Sequence, residues 1–122
     1  MYLRDHIIRQ LELAWVATDP EERRARSSFV MAGAGHTGTE VTAHGRLLTT
    51  GLVRDMPGLA AEQIRWILLD TAPRLLPQLD PRLSKTADRV LRRCGVEMLT
   101  GASVTEALEG YCPPATRCPP AR

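Results

Sequence analysis

The feature that most limits what this chain can fold into is a glycine-rich run, Gly33-Ala34-Gly35-His36-Thr37-Gly38, directly behind the short segment Ser28-Phe29-Val30-Met31-Ala32. Periodicity alone does not separate a strand from a helical turn in so short an apolar run. The glycines that follow favour a buried parallel strand, because a strand that leaves a sheet and turns at once into a helix needs residues without side chains at the turn. From Thr37 to about Leu48 a helix is expected, weakened by Thr39, Thr42 and Gly45. About fifteen residues of loop or frayed helix follow, punctuated by Gly51, Pro57 and Gly58.

The rest of the chain repeats the alternation. Ile64-Arg65-Trp66-Ile67-Leu68-Leu69-Asp70 is apolar and ends on an acid, the pattern of a second strand. Thr71-Ala72-Pro73-Arg74 reads as a turn. Asp80 as cap and Pro81 at the first helical position open a helix to about Arg93, with Leu83, Ala87, Val90 and Leu91 as its apolar stripe and Gly95 as its stop. Val96-Glu97-Met98-Leu99 is a third short strand, and a further short extended piece is expected between Gly101 and Ala107. Ahead of the first strand, Leu3, Ile7, Ile8, Leu11, Ala14 and Trp15 recur at helical spacing. Asp19-Pro20-Glu21-Glu22 then opens a short polar helix. The predicted fold is α/β: a Rossmann-like βαβαβ half with a parallel sheet, preceded by an amphipathic helix, and incomplete as a domain. The divisions are a helical segment over 1–26, the βαβαβ region over 27–109 and a Pro-rich tail over 110–122, expected to be disordered.

That element order is the one that binds mononucleotide halves of a dinucleotide, and each part has a task. Gly33 lets the chain turn tightly out of the strand, Gly35 lets a pyrophosphate approach the backbone, and Gly38 lets helix and strand pack closely. Ala34, His36 and Thr37 complete the loop, whose amides and helix dipole face the phosphates. An acid ending the second strand accepts ribose hydroxyls, and here that is Asp70. It stands farther along than the roughly 20 residues usual for this motif, the excess lying in the Thr49 to Gln63 stretch. A carboxylate there repels a 2′-phosphate, so NAD(H) is expected over NADP(H). Two readings stand for Arg74: a cation that softens this preference, or a surface arginine in a turn.

Composition narrows the partners. With 16 basic and 14 acidic side chains the formal charge is +2, too balanced for nucleic acid or an anionic membrane as the main partner. The pairs Arg23-Arg24 and Arg92-Arg93 read as solvated helix faces. Three cysteines, Cys94, Cys112 and Cys118, make no disulfide framework, and the last two are not in a Cys-x-x-Cys. His6 and His44 lack partners at metal-like spacing, so no metal site is expected. There is no apolar leader at the N-terminus and no run near the roughly 18 residues of a transmembrane segment. The reading is a cytoplasmic, reducing setting.

Taken together, several segments resemble one family. Phe29-Val30-Met31-Ala32-Gly33-Ala34-Gly35-His36-Thr37-Gly38-Thr39-Glu40-Val41 is similar to the second glycine motif of type II NADH dehydrogenases and related FAD-dependent pyridine nucleotide oxidoreductases. Arg65-Trp66-Ile67-Leu68-Leu69-Asp70-Thr71-Ala72-Pro73-Arg74-Leu75-Leu76-Pro77 resembles the family's second strand and turn. Asp80-Pro81-Arg82-Leu83-Ser84 and Arg92-Arg93-Cys94-Gly95-Val96-Glu97 resemble the next helix and strand, and Leu3-Arg4-Asp5-His6 the segment before the NADH domain. The resemblance covers about residues 1 to 109.

It implies an enzyme in which NADH gives a hydride to FAD and the flavin passes electrons to a quinone or another acceptor, membrane-peripheral in its full-length form. It implies that Gly33, Gly35 and Gly38 bind the NADH pyrophosphate and Asp70 the adenosine ribose. Glu40 matches a family acid near the nicotinamide; its other reading is a first-turn glutamate favouring the helix dipole. His36 departs from the apolar, aromatic or proline residue usual there, and is either an imidazole packed over the cofactor or an exposed loop histidine. No FAD-binding glycine motif precedes residue 1, and the tail matches nothing in the family. The expectation is therefore a fragment of a longer reductase, inactive alone and prone to associate with itself or with a flavin-carrying remainder through its open sheet edge. The alternatives are a dinucleotide-binding module without chemistry and a remnant.

Overall fold

The structure, a computed structural model, describes residues 2–102. Four helices and three strands alternate in the order α1 (Tyr2–Val16), α2 (Pro20–Arg26), β1 (Ser28–Ala32), α3 (His36–Leu52), β2 (Arg65–Asp70), α4 (Pro81–Arg93) and β3 (Val96–Thr100). Single 3-10 turns over Val53–Asp55 and Ala61–Gln63 fill the span between α3 and β2. The helix starts follow the side chains read in the sequence. Asp19 accepts from Glu21 N–H at 3.1 Å and Asp80 from Arg82 N–H at 2.8 Å, each with proline at the first helical position.

The sheet is parallel throughout, in the order β1-β2-β3. This is the Rossmann-like α/β arrangement expected from strand–helix–strand alternation. The register places Phe29 beside Trp66 and Trp66 beside Val96, then Met31 beside Leu68 and Leu68 beside Met98. Registered residues share a face, so these six form one apolar face, and α3 and α4 cover it. The Phe29 and Trp66 rings stack with centroids 4.7 Å apart. The core extends to Ile7 and Leu11 of α1, which packs beside α3 together with Val53, Met56 and Leu59. The opposite face carries Val30, Ile67 and Glu97, of which Val30 is half exposed and Ile67 is buried. Among the described residues no helix is long and apolar enough to cross a membrane.

Three sequence expectations change. The helix after the glycine run continues to Leu52 instead of fading near Leu48. Its weak formers are put to use there: Thr42 and Thr49 are fully buried with hydroxyls bonded to the carbonyls of Gly38 and Gly45, and Gly45 leaves room for the Trp66 ring. The apolar stripe of α4 is also misplaced. Ser84 and Leu91 are buried, whereas Leu83 and Val90 are more than half exposed, because the face that meets β3 is centred on Ser84, Ala87 and Leu91. On α1, Ile7, Leu11 and Ala14 face inward, but Leu3 and Trp15 do not; Trp15 Nε1 donates to the Pro57 carbonyl at 2.9 Å. The 110–122 tail, and most of the extended piece expected between Gly101 and Ala107, lie outside the described residues.

Candidate functional site

The loop between β1 and α3 sits at the carboxyl end of the sheet. Gly33 closes β1 with its N–H on the Leu69 carbonyl at 2.7 Å, and its φ of 108° lies where only glycine is comfortable. Ala34 is the buried residue of the loop, with about 1% of its surface exposed. Gly35 is the N-cap of α3 without a side-chain cap, and Thr39 N–H makes the first intrahelical bond, to the Gly35 carbonyl at 3.0 Å. The amides of Gly35, His36, Thr37 and Gly38 therefore have no acceptor among the described residues. Four N–H groups converging at a positive helix end form a site for an anion.

The two later glycines of the motif are there for different reasons. A side chain on Gly38 would collide with the Gly33 carbonyl, so Gly38 serves the protein's own helix–strand packing. Gly35 has no such need. Its φ is −75°, ordinary for any residue, and a Cβ built there meets nothing within 4 Å. The space in front of Gly35 is open, at the end of a helix whose amides are unclaimed.

Asp70 reaches the same loop from the end of β2. Its Oδ2 accepts from Ala34 N–H at 2.7 Å and its Oδ1 from Ala72 N–H at 3.0 Å and Thr71 Oγ1 at 3.3 Å. These donors, the Ala34 amide first and the Ala72 amide second, hold the carboxyl below its ordinary value despite a small opposing effect of desolvation. Asp70 is thus an ionised carboxylate at the rim of the loop. Oδ2, which accepts from Ala34 alone, retains lone-pair capacity for another donor.

The remaining candidates divide. His36 and Thr37 are exposed on the first turn of α3, at the loop. Glu40 is exposed on α3 one turn farther on, and the first turn itself holds no acid. Arg74 is not directed at a ligand: its Nη2 donates to the carbonyls of Pro77 at 2.7 Å and Leu79 at 3.0 Å, closing the β2–α4 connection on itself. One residue escaped the sequence reading. Leu76 N–H donates to the Ala34 carbonyl at 2.9 Å, so the β2–α4 connection braces the loop from below. Nothing in a Leu-Leu-Pro stretch signals that contact, since it depends on a backbone angle.

Residues 5–110 match the family described as pyridine nucleotide-disulphide oxidoreductase. Among curated proteins, the chain is 39% identical over 104 residues to the type II NADH:quinone oxidoreductase NdhA of Mycobacterium tuberculosis. It is 35% identical over 105 residues to the type II NADH:quinone oxidoreductase Ndh of the same organism. These matches take in 84% and 85% of this chain but 22% and 23% of the relatives, so the chain spans less than a quarter of the length of the proteins it matches. Among solved structures it is similar in fold to NDH2 from Plasmodium falciparum in complex with NADH, with a TM-score of 0.78 at 18% identity over 88% of this chain and 22% of that one. By the extent of the family match and by these relatives, the chain belongs to the pyridine nucleotide-disulphide oxidoreductases.

Proposed function

We propose that this chain is the NADH-binding part of an FAD-dependent NADH dehydrogenase-like oxidoreductase. The observation that carries the reading is Gly35: neither its backbone angles nor its packing require glycine, yet a side chain there would fill the space in front of four unclaimed amides. A pyrophosphate needs that space and those donors. The relatives named as NADH:quinone oxidoreductases, and a structural neighbour solved with NADH, support NADH as the dinucleotide.

In this reading the amides of Gly35 to Gly38 and the end of α3 neutralise the pyrophosphate. Asp70 takes an adenosine ribose hydroxyl on the Oδ2 lone pair that Ala34 leaves free, and disfavours a 2′-phosphate by charge. His36, Thr37 and Glu40 border the path of the cofactor beyond the loop. A flavin held against the nicotinamide would accept the hydride and pass electrons to a quinone or another acceptor. Positioning that acceptor falls to a flavin-carrying part of the enzyme, and the cytoplasmic, membrane-peripheral setting belongs to the same proposal.

The test is a titration of the chain with NADH followed by nicotinamide fluorescence, with sedimentation to report its association state. Saturable binding supports the proposal. No binding by folded protein overturns it.

A further inference from the structure

Among the described residues, Leu76 is the only non-glycine residue with a positive φ, at 49°. A leucine there is strained, because its Cβ crowds the following carbonyl. Strain of this kind persists only where surrounding contacts over-determine it. Leu76 is buried in the core, its carbonyl accepts from Leu79 N–H at 3.0 Å and from Ser84 Oγ at 3.2 Å, and Ser84 is itself buried on α4. With its carbonyl held there, its N–H donates to the Ala34 carbonyl.

That bond governs more than Ala34. The Ala34 carbonyl and the Gly35 N–H belong to one planar trans peptide and point in opposite directions. Among the described residues the only other donor to the Ala34 carbonyl is Thr39 Oγ1, at a longer 3.4 Å, and residue 35 has no side chain to oppose rotation of this peptide. With the Ala34 carbonyl turned inward onto Leu76, the Gly35 N–H must face the open side of the loop. The preceding peptide is fixed from the other direction by Asp70 on Ala34 N–H. The end of β2, through Asp70, and the β2–α4 connection, through Leu76, thus set the two peptide planes that lead into the anion site, although both lie more than thirty residues away in sequence.

We propose that Leu76 is a positioning residue for the phosphate loop: its left-handed backbone pins the Ala34 carbonyl and so aims the Gly35 N–H at the cofactor. This rests on the nucleotide reading above and adds to it a residue outside the glycine motif. The strain in Leu76 is then part of the site's pre-organisation, and substitutions that change only the backbone preference at 76 should change affinity.

The experiment compares two substitutions of nearly equal volume in the full chain. Leu76→Met keeps an apolar side chain unbranched at Cβ and the same access to the left-handed region. Leu76→Ile adds a β-branch that opposes it. Measured together are the NADH Kd, the melting temperature and the amide NMR resonance of Gly35 without ligand. Leu76→Met should hold the Kd within about twofold. Leu76→Ile should raise it about tenfold and shift the Gly35 resonance. Should the isoleucine variant not fold, Ser84→Ala removes one of the two bonds on the Leu76 carbonyl, leaving that from Leu79 N–H, and should raise the Kd about threefold with little change in melting temperature. Equal Kd values and an unmoved Gly35 resonance in folded Leu76→Ile, or in Ser84→Ala, would overturn the proposal. Wild-type protein that fails to bind NADH would remove the nucleotide reading, while the Gly35 resonance still decides whether Leu76 sets the peptide.

Discussion

The carboxylate of Asp70 accepts a hydrogen bond of 2.7 Å from the backbone N–H of Ala34, tying the end of β2 to the loop that leaves β1. One acid therefore shapes the loop and, in the proposed function, also takes a ribose hydroxyl. Its ionised form is the one that accepts all of these bonds.

A pH dependence follows. Asp70 titrates below its unfolded value in the folded chain, because the Ala34 and Ala72 amides favour the carboxylate. The stabilisation is fully present above the unfolded value of about 3.9 and is lost as pH falls through the lower folded value. The Ala34 amide shift, followed by NMR from neutral pH downward, should titrate with a midpoint below about 3.9. In Asp70→Asn the transition should vanish. A midpoint at or above the ordinary carboxylate range would show that the Ala34 bond does not favour the charged form.

Cofactor choice tests the same carboxylate from the ligand side. Arg74 is committed to the carbonyls of Pro77 and Leu79, so it does not neutralise Asp70 at the rim. NADH should bind at least about tenfold more tightly than NADPH, a difference of about 1.4 kcal/mol. Arg74→Ala should leave that ratio unchanged and lower the melting temperature by loosening the β2–α4 connection. Equal calorimetric Kd values for the two nucleotides would count against the role given to Asp70.

The stability of the sheet's covered face rests on one close approach. The Trp66 ring lies where a side chain on Gly45 would sit, and Trp66 Nε1 donates to Thr49 Oγ1 at 3.1 Å in a buried position. Gly45→Ala should therefore destabilise the chain by about 1–3 kcal/mol through overpacking, against the usual gain of alanine in a helix. Thr49→Val, which leaves the buried indole N–H without an acceptor, should cost about 1–3 kcal/mol. Urea unfolding monitored by tryptophan fluorescence measures both; an unchanged midpoint in either would show that α3 shifts to accommodate the change.

Much of this architecture was readable from local chemistry. An apolar run ending in glycine, an aspartate before a proline, and an acid at the end of a second apolar run each state a backbone requirement within a few residues. Asp70 ends β2, as the apolar run before it indicates, although its spacing from the glycines is long. The strand register, with Ala32 beside Leu69, sets its position whatever lies between the strands. The misjudged features depend on distant partners. Thr39, Thr42 and Gly45 argue against a helix by propensity, but Thr42 is buried with its hydroxyl on the Gly38 carbonyl and Gly45 gives room to the Trp66 ring. Leu83 and Val90 belong to an apolar stripe by periodicity, but the width of the contact with β3 leaves them outside it. The capture of Arg74 by loop carbonyls and the left-handed turn at Leu76 come from the path of the β2–α4 connection. Two prolines, Pro73 and Pro77, around the apolar pair Leu75-Leu76 leave that path unstated in the sequence.

In the proposed function the open space before Gly35 holds a dinucleotide phosphate. The most direct measurement is NADH binding by fluorescence to wild-type protein and to Gly35→Val, alongside the melting temperature of each. A valine there meets no protein atom near its Cβ and adopts an ordinary φ, so both proteins should fold with similar stability. NADH binding should weaken by at least about a hundredfold, because the side chain takes the place of the pyrophosphate. Unchanged affinity in a folded Gly35→Val protein would contradict the account.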